Sequence, residues 1–390
     1  MKLKALLLLA SVGVIAVGCW LVTTPASSQA GDIPEKYRGT VAKGLDYLAS
    51  QQAKDGHWEG DAGKHPVAMT GLVGLALLMG MPAENFAYLE EAPKVAKTKH
   101  HANIQRAADW LMHKSHSKRD GLIFSEHESE TARYMEGHGL ATLFLAGVCR
   151  HEPEGARKKM LTDVLTRAVK YIAKAQSSKG GWYHTSKAEG HDFDAISATA
   201  IQMQALKAAE NAGVPVPAGI IAAGQGYLQA SLACIHIDSK TPPSHDILRD
   251  AGAAVAASLT VSETLHNDLR RVAMPKASEK WLEHWRTHWI AKSATDLRRD
   301  VVAHYYFSQA VQTTRTGWPT YRTVLFDHLQ KTQAKNGDWP ESKEVGIGAL
   351  HASALCCIML QLDKQTHPSI PPVRDIVITL RRNVDPECTV

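Results

Sequence analysis

The heptapeptide QSSKGGW, Gln176–Trp182, has two close counterparts in the same chain. QAKDGHW spans Gln52–Trp58 and QAKNGDW spans Gln333–Trp339. In each, a glycine follows the glutamine by four residues, and a tryptophan follows the glycine by two. Each heptapeptide also comes after a segment whose apolar residues have helical spacing, so the motif marks the end of a recurring helix.

The residue types of this motif indicate a structural role. Glycine supplies a positive φ where a helix stops and the chain turns back. An indole is large enough to fill the space between neighbouring helices, and it carries an N–H that needs an acceptor. A glutamine amide can both donate to and accept from the backbone at helix ends. We therefore predict that each QxxxGxW segment, called a clasp below, joins one pair of helices to the next.

The order of helices around the clasps repeats along the chain. A first helix carries charges on one face, and a second helix is apolar nearly all round and rich in alanine and glycine. Six such pairs predict an all-α chain folded as an α/α toroid (α6/α6 barrel) of outer and inner helices. The pairs are TVAKGLDYLASQQ with PVAMTGLVGLALLMG, NIQRAADWLMHK with YMEGHGLATLFLAG, VLTRAVKYIAKAQ with DFDAISATAIQMQALKAA, AAGQGYLQASLACIH with ILRDAGAAVAASLTV, KWLEHWRTHWIAKS with DVVAHYYFSQAV, and TVLFDHLQKTQ with VGIGALHASALCCIMLQL.

Composition is typical of a globular protein. The chain has 390 residues, of which 44% are hydrophobic and 21% charged, enough to build a large core. The formal net charge is +5, but no basic run is interleaved with aromatic residues. Nucleic acid is therefore not an expected partner.

The first 30 residues form a targeting segment. Lys2 and Lys4 precede an apolar run, and small residues follow it, which is the order of a signal peptide. An uncleaved membrane anchor and a lipoprotein signal ending at Cys19 are the alternatives. We expect an exported protein, periplasmic or extracellular, with possible membrane association through this N-terminus. Residues 31–370 are then one repeat domain, and 371–390 are a C-terminal tail.

The cysteines do not form a disulfide framework or a zinc-ribbon spacing. Cys356 and Cys357 are adjacent within an apolar helix. We expect them to be small buried hydrophobic side chains.

Three clasps within six helix pairs resemble the terpenoid cyclase and protein prenyltransferase superfamily. The closest resemblance is to bacterial secreted prenyltransferase/squalene-oxidase repeat proteins, and it covers nearly all of residues 35–365. The resemblance implies an α/α toroid with an apolar, isoprenoid-like ligand in its central cavity. Chemistry needs separate evidence, because one fold carries many functions.

Triterpene cyclases of this superfamily use a DxDD motif whose carboxylic acid protonates an alkene. The best match here is DFDAISAT, in which Ser197 and Ala198 fall at the two aspartates that precede the family's threonine. Asp192 and Asp194 lie too early, and aromatic residues make up only 6% of the chain. We therefore expect no cyclase activity of that type.

Protein prenyltransferases of the superfamily bind zinc through an Asp-x-Cys pair and a histidine. His304 falls where that cysteine would lie, and His351 falls at the histidine, but Val302 replaces the aspartate. The resemblance thus implies a partial site for a divalent metal such as zinc, with Asp300 as a third ligand. The alternative is that both histidines are ordinary hydrogen-bonded residues of inner helices.

Ionisable residues cluster where each inner helix begins. Carboxylates there can cap the helix, but histidines at such positions suit metal binding or acid–base chemistry in a concave site. We therefore predict a polar mouth to the central cavity. Its members are His65, Glu136, His138, His191, Asp192, Asp194, His245, Asp246, Asp250, Asp300, His304 and His351.

Two further functions remain open beside the binding of an apolar ligand. A carbohydrate-active lyase or hydrolase would act on a glycan in the cavity. Its catalytic candidates are Glu136, His138, Asp192, Asp194 and Tyr305. The last alternative is a noncatalytic scaffold at the cell envelope.

One outer-helix surface also has two interpretations. Trp281, Trp285 and Trp289 recur every four residues and share one face. That face is either a packing seam, which is the more common case, or an exposed surface for a membrane or partner.

Overall fold

The computed structural model describes residues 32–81, 99–113, 116–118, 120–235, 244–261, 276–288, 300–315, 317–340 and 346–369. Within these ranges the chain is 69% helical and has no strands, which confirms the all-α prediction. The targeting segment 1–30, the tail 371–390, Cys19 and Trp289 lie outside the described residues.

The described helices alternate between amphipathic and apolar segments, as the sequence predicts. Short 3₁₀ turns at Asp61–Gly63, Lys187–Glu189 and Leu362–Lys364 accompany them. The α-helices are α1 Glu35–Ser50, α2 Pro66–Met79, α3 His101–Met112, α4 Glu128–Thr131, α5 Tyr134–His151, α6 Ala156–Ala175, α7 Ile196–Asn211, α8 Ile220–Cys234, α9 His245–Thr260, α10 Lys276–His288, α11 Val301–Thr314, α12 Trp318–Thr332 and α13 Ala349–Leu360.

Two kinds of helix differ in how they are buried. On α6 the buried positions recur three or four residues apart, from Leu161 through Val164 and Ala168 to Ile172. One face of this helix therefore packs against the protein and the other faces solvent. On α2 every residue except Ala68 is buried. We call α2, α5, α7, α9, α11 and α13 the inner helices, and α1, α3, α6, α8, α10 and α12 the outer helices.

Contacts between the inner helices run in a closed order. Helix α2 contacts α5, α5 contacts α7, α7 contacts α9, α9 contacts α11, and α11 contacts α13. Helix α13 in turn contacts α2, so the last inner helix packs against the first. Outer helices α1 and α12, from opposite ends of the chain, also contact each other.

Glycines allow the inner helices to pack closely. A Cβ added at Gly71 of α2 would lie 2.6 Å from the carbonyl carbon of Leu140 on α5. A Cβ at Gly139 of α5 would lie 2.5 Å from Cγ2 of Ile201 on α7. Because these distances are shorter than any real contact of a Cβ, alanine at either position would push the two helices apart.

The tryptophans of the three clasps occupy equivalent buried positions. Trp58 and Trp182 are fully buried, and Trp339 is 3% exposed. Each indole N–H donates to a carbonyl ten residues earlier on the preceding outer helix, which is Leu48 at 2.7 Å, Ile172 at 2.7 Å and Leu329 at 2.8 Å. The predicted structural role of the indole is confirmed.

The glutamine and glycine of each clasp contact the next outer helix. The Gln52 side-chain amide donates to Asn103 O on α3, and that of Gln176 donates to Ile220 O on α8. The Gln333 amide donates at 3.0 Å to Thr40 O on α1, which joins the last helix pair to the first. The clasp glycines have φ near +100° and abut a carbonyl of the same neighbour; at Gly337 a Cβ would lie 2.4 Å from Lys43 O.

A fourth junction has the clasp backbone without its sequence. Gly121 has φ +101°, and a Cβ there would collide with the carbonyl of Arg167 on α6. Two residues later stands Ile123, fully buried where the other junctions have tryptophan. The sequence motif therefore undercounts the junctions.

The tryptophan face of α10 is a packing seam, as the more common interpretation holds. Trp281 and Trp285 are each 1% exposed, and the Trp285 ring meets Phe307 of α11 edge-on at 4.8 Å. Cys356 and Cys357 are buried, and burial raises the pKa of both thiols. They behave as the small hydrophobic side chains the sequence predicts.

Residues 361–369 cover the C-terminal ends of several inner helices. The Lys364 ammonium is buried and donates at 2.6 Å to the carbonyls of Met79 and Met81, at the end of α2. A cation is favourable at this negative end of a helix dipole. The carbonyl of Pro368 accepts from Asn211, the last residue of α7. We call this stretch the C-terminal seal.

Candidate functional site

The loops that precede four of the inner helices are bonded to one another. Asp61 N–H, before α2, donates to Ile347 O, before α13, at 2.7 Å. His65 N–H donates at 2.8 Å to the hydroxyl of Ser129, in the short helix α4 that precedes α5. Met135 N–H of α5 donates at 3.0 Å to His184 O, in the loop before α7. These bonds hold the ionisable residues at this end close together, opposite the C-terminal seal.

Glu136 lies at the centre of this polar group. Arg133 donates to both of its oxygens, at 2.8 Å to Oε1 and 3.1 Å to Oε2, and His184 Nδ1 lies 3.1 Å from Oε1. Burial alone would raise the pKa of Glu136, but His184 and Arg133 lower it to about 2. Glu136 therefore stays ionised, with the Arg133 guanidinium and the His184 ring beside it. It is not suited to donate a proton.

His65 is held in a strained backbone conformation at the start of α2. Its φ of 55° and ψ of 48° are left-handed, although Pro66 follows and disfavours helical angles at the preceding residue. Burial lowers the pKa of His65; the charge of Glu136 opposes this, and Arg133 and His351 reinforce it. A strained, neutral histidine beside other ionisable groups is typical of a functional position.

Tyr306 and Asp250 face the same space from α11 and α9. Tyr306 is buried and Asp250 is half-buried, and burial raises the pKa of each. The charges of Glu136 and Asp250 act on the Tyr306 hydroxyl, and Asp246 raises the pKa of Asp250 further. Asp250 is thus the better proton donor of the two mouth carboxylates. The term polar mouth now denotes His65, Arg133, Glu136, His184, Asp250, Tyr306 and His351.

Glu130 is an additional buried carboxyl beneath this mouth. It is 3% exposed, and its Oε1 accepts from the amides of Val67 at 2.9 Å and Ala68 at 3.1 Å, at the N-terminus of α2. Burial raises its pKa to about 7, against the lowering effect of these backbone amides. Its Oε2 is buried without a hydrogen-bond partner. A carboxyl that titrates near neutrality suits proton transfer.

Asp192 and Asp194 lie in a separate cavity of about 390 Å³ at the rim. Lys179, Tyr183, Asp192, Phe193, Asp194 and Tyr227 line it. Asp192 Oδ1 accepts from Ser178 N–H at 2.7 Å, and Asp194 Oδ1 accepts from the Ser177 hydroxyl. The Ser178 amide lowers the pKa of Asp192. We call this cavity the rim pocket; it is built by the third clasp and the loop before α7.

The interior between the inner helices is bridged by two amides. Gln204 of α7 donates at 2.7 Å to Gln309 Oε1 of α11, although α9 lies between these helices in the order of contacts. Tyr305, one turn before Gln309, is buried, and burial raises its pKa to about 12, against the lowering effect of Gln309. Tyr305, predicted as a catalytic candidate, is therefore part of the packed interior beside this bridge.

His138, predicted as a catalytic candidate at the mouth, has its side chain directed toward the outer layer. It is fully buried; its Nδ1 accepts from Ile123 N–H at 3.0 Å, and its Nε2 lies 3.3 Å from Ala168 O. Burial lowers its pKa to about 4, so the ring is neutral. Its side chain points to the outer layer because an inner helix is surrounded by protein on all sides.

The predicted metal site at His304, His351 and Asp300 is not assembled. His304 Nδ1 is 2.7 Å from the Tyr321 hydroxyl of outer helix α12, so it faces away from the mouth. Asp300 caps α11 through Ala303 N–H and pairs with Arg249 at 2.7 Å. No three His, Cys, Asp or Glu side chains of the described ranges are grouped to hold a metal ion.

His184, Arg133 and Glu130 are the site residues that sequence reasoning missed. His184 stands two residues after the third clasp tryptophan, and Arg133 three residues before Glu136. Each lies in a short helix, a helix start or a loop whose position at the mouth depends on packing and not on the inner-helix pattern. A search of the residues directly after each clasp would have found His184.

Comparison with known proteins adds no assignment. No protein-family model and no curated protein matches this chain. No helix among the described residues is both long and apolar enough to cross a membrane.

Proposed function

We propose that the chain is an exported α/α toroid of the prenyltransferase/squalene cyclase repeat type that binds an apolar, isoprenoid-like ligand between its inner helices. The closed order of inner-helix contacts supports the toroid. The bond from Gln333 to Thr40 O supports it independently, because it joins the sixth helix pair to the first in the manner of the other clasps.

The observation that carries the ligand proposal is the difference between the two ends. The C-terminal seal covers one end and the polar mouth stands at the other, which supports a ligand space that opens at the mouth between apolar helices. Concave sites with apolar walls and a few fixed polar groups are typical of small-molecule binding. The Gln204–Gln309 hydrogen bond limits the depth of this space. The proposed ligand therefore lies between the first turns of the inner helices, near Tyr306.

The mouth residues provide for orientation and proton transfer. Ionised Glu136 lies beside His184 and can attract the positive charge of a protonated ring. Asp250, whose pKa is raised, can hold a proton. A polar end group of an otherwise apolar molecule would meet these side chains. Binding is the proposal; a chemical step would depend on Asp250 or His184.

The test is what the full-length chain retains after purification without detergent. Solvent extraction and mass spectrometry should recover an isoprenoid-like molecule, and farnesol or squalene should raise the Tm. A ligand present at about 100 times its Kd stabilises the folded state by about 2.7 kcal/mol. Tyr306→Trp should lower the occupancy because it fills the mouth, whereas Tyr47→Trp, on outer helix α1, should not.

Two results would contradict the proposal. If no apolar molecule is extracted and neither compound changes the Tm, the chain does not bind an isoprenoid-like ligand, and the carbohydrate-active enzyme and the noncatalytic scaffold are the functions left. If Tyr306→Trp and Tyr47→Trp retain equal amounts of ligand, the ligand lies outside the inner helices.

A further inference from the structure

A surface cavity separate from the ring interior has the features of a ligand site. The rim pocket has a volume of about 390 Å³, within the range of small-molecule sites. Five of the six lining residues come from the continuous segment 179–194 between α6 and α7, and Tyr227 of outer helix α8 is the sixth. The pocket therefore forms where this segment packs against α8.

The aromatic side chains of the pocket are partly open to water. Phe193 is 60% exposed, the most exposed large hydrophobic side chain of the described residues. The Tyr183 ring meets it edge-on at 5.5 Å, and Tyr227 lines the opposite side from α8. The exposure of Phe193 is relevant because the ring lies in a cavity beside two tyrosines, where a ligand can contact all three rings. The flat faces of these rings can stack on the apolar face of another ring.

The polar atoms of the pocket are held in place by the clasp itself. Ser177 and Ser178, the second and third residues of QSSKGGW, bind Asp194 and Asp192 through their Oδ1 atoms. A Cβ at Gly181 would lie 2.5 Å from Asp194 Oδ1 and 2.9 Å from Tyr227, so only glycine leaves room for this arrangement. Fixed carboxylates of this kind accept hydrogen bonds from ligand hydroxyl groups.

Charge balance decides the class of ligand. Asp192 and Asp194 are matched by Lys179, which lines the pocket, and by Lys187, whose Nζ is 3.8 Å from Asp192. With two charges of each sign, the pocket has no excess to attract an anion or a quaternary amine. Aromatic faces beside fixed hydrogen-bonding groups favour a neutral molecule with many hydroxyls and an apolar ring face.

We propose that the rim pocket, through Phe193, Tyr183, Tyr227, Asp192 and Asp194, binds a neutral saccharide. The sugar stacks on Phe193 and donates hydroxyl hydrogens to Asp194. This site is independent of the ligand between the inner helices. It would attach an exported protein to a neutral polysaccharide.

Affinity electrophoresis of the full chain in gels that contain a neutral polysaccharide tests the proposal. The panel is xylan, glucomannan, hydroxyethylcellulose, laminarin and pullulan, and at least one should retard the wild type. Phe193→Ala should weaken the retardation about tenfold because it removes one stacking surface. Met160→Ala is the matched control, since Met160 is a 51% exposed apolar side chain outside the pocket.

Three outcomes would overturn the proposal. The first is no retardation by any of the five polysaccharides. The second is equal retardation of Phe193→Ala and Met160→Ala, which would place the sugar elsewhere. The third is competition by choline but not by oligosaccharides, which would make the pocket a cation site. Far-UV circular dichroism of both variants should match that of the wild type, because both side chains are exposed.

Discussion

The third and second helix-pair junctions have the same backbone but different side chains. At the third junction, the backbone N–H of Trp182 donates to the Thr199 hydroxyl at 2.9 Å, and the Gln176 amide donates to the next outer helix. At the second, Ile123 N–H donates to His138 Nδ1 at 3.0 Å, and the same imidazole reaches Ala168 O of the next outer helix. One histidine thus replaces both a hydroxyl acceptor and an amide donor.

The comparison explains why the sequence motif finds three junctions and the structure four. The requirement shared by all four is a glycine with φ between 93° and 108° against the neighbouring outer helix. The large side chain and its hydrogen-bond partner can vary, because a hydroxyl oxygen or an imidazole nitrogen can accept from the same backbone N–H. A buried histidine can therefore be a structural part of the repeat, with no catalytic role.

Shortening the buried side chain at the two junctions should produce the largest effects. Trp182→Ala leaves a cavity and removes the bond to Ile172 O, so we expect a loss of about 3–5 kcal/mol of unfolding free energy. Ile123→Ala removes less volume and no side-chain hydrogen bond, so about 2–3 kcal/mol is expected. Urea unfolding followed by circular dichroism measures both. Equal losses would show that the greater volume of the indole and its hydrogen bond add nothing to the stability that an isoleucine provides.

The second-largest difference between the two junctions should be the pH dependence of the stability that His138 contributes. The folded state keeps His138 neutral with a pKa of about 4, whereas an unfolded histidine titrates near 6.5. This contribution to stability is complete above about pH 6.5 and is lost as the pH falls toward 4, because the unfolded chain binds the extra proton. His138→Gln keeps an acceptor and a donor but does not titrate.

The measurement is the unfolding free energy at several pH values within that window. Between the two pKa values, the slope for His138→Gln should be smaller than that of the wild type by up to one proton, about 1.4 kcal/mol per pH unit. His304 and His367 also have lowered pKa values, but they are present in both proteins and cancel in the difference. Identical slopes would contradict the neutral, buried state of His138.

The smallest effect concerns the glutamine of the closing junction. Gln333→Ala removes hydrogen bonds to Gly337 O and Thr40 O, each worth about 1 kcal/mol or less in net stability. Gln176→Ala is the matched variant at an internal junction, with equivalent bonds to Gly180 O and Ile220 O. Similar Tm shifts are expected if the sixth pair closes on the first as an ordinary junction. A shift for Gln176→Ala alone would contradict that closure.

The sequence predicts the helix pairs well because two physical signals agree there. The outer helices carry an apolar stripe, and QxxxGxW marks where each stops, so α1, α6 and α12 could be found with their successors. It predicts the direction of inner-helix side chains poorly. Glu136 and His138 are two residues apart on α5, yet one faces the mouth and the other the outer layer. A helix buried on all sides has no amphipathic pattern to tell these faces apart.

The C-terminal seal was equally hidden in the sequence. Its residues DKQTHPS are polar and would pass for an exposed end of the domain. They are buried because Lys364 and Thr366 donate hydrogen bonds to the last carbonyl of α2, which has no partner within its own helix. That requirement belongs to a helix far away in the chain, so local composition could not reveal it.

The seal also constrains when the protein can finish folding. Lys364 and Met79 are 285 residues apart, and Gln333 and Thr40 are 293 apart, so the contacts of the first helix pair are completed by residues of the sixth pair and the seal. Such long-range contacts slow folding, because the chain entropy must be lost before the contacts form. The first helix pair therefore cannot complete its packing until residues 333–366 have left the ribosome.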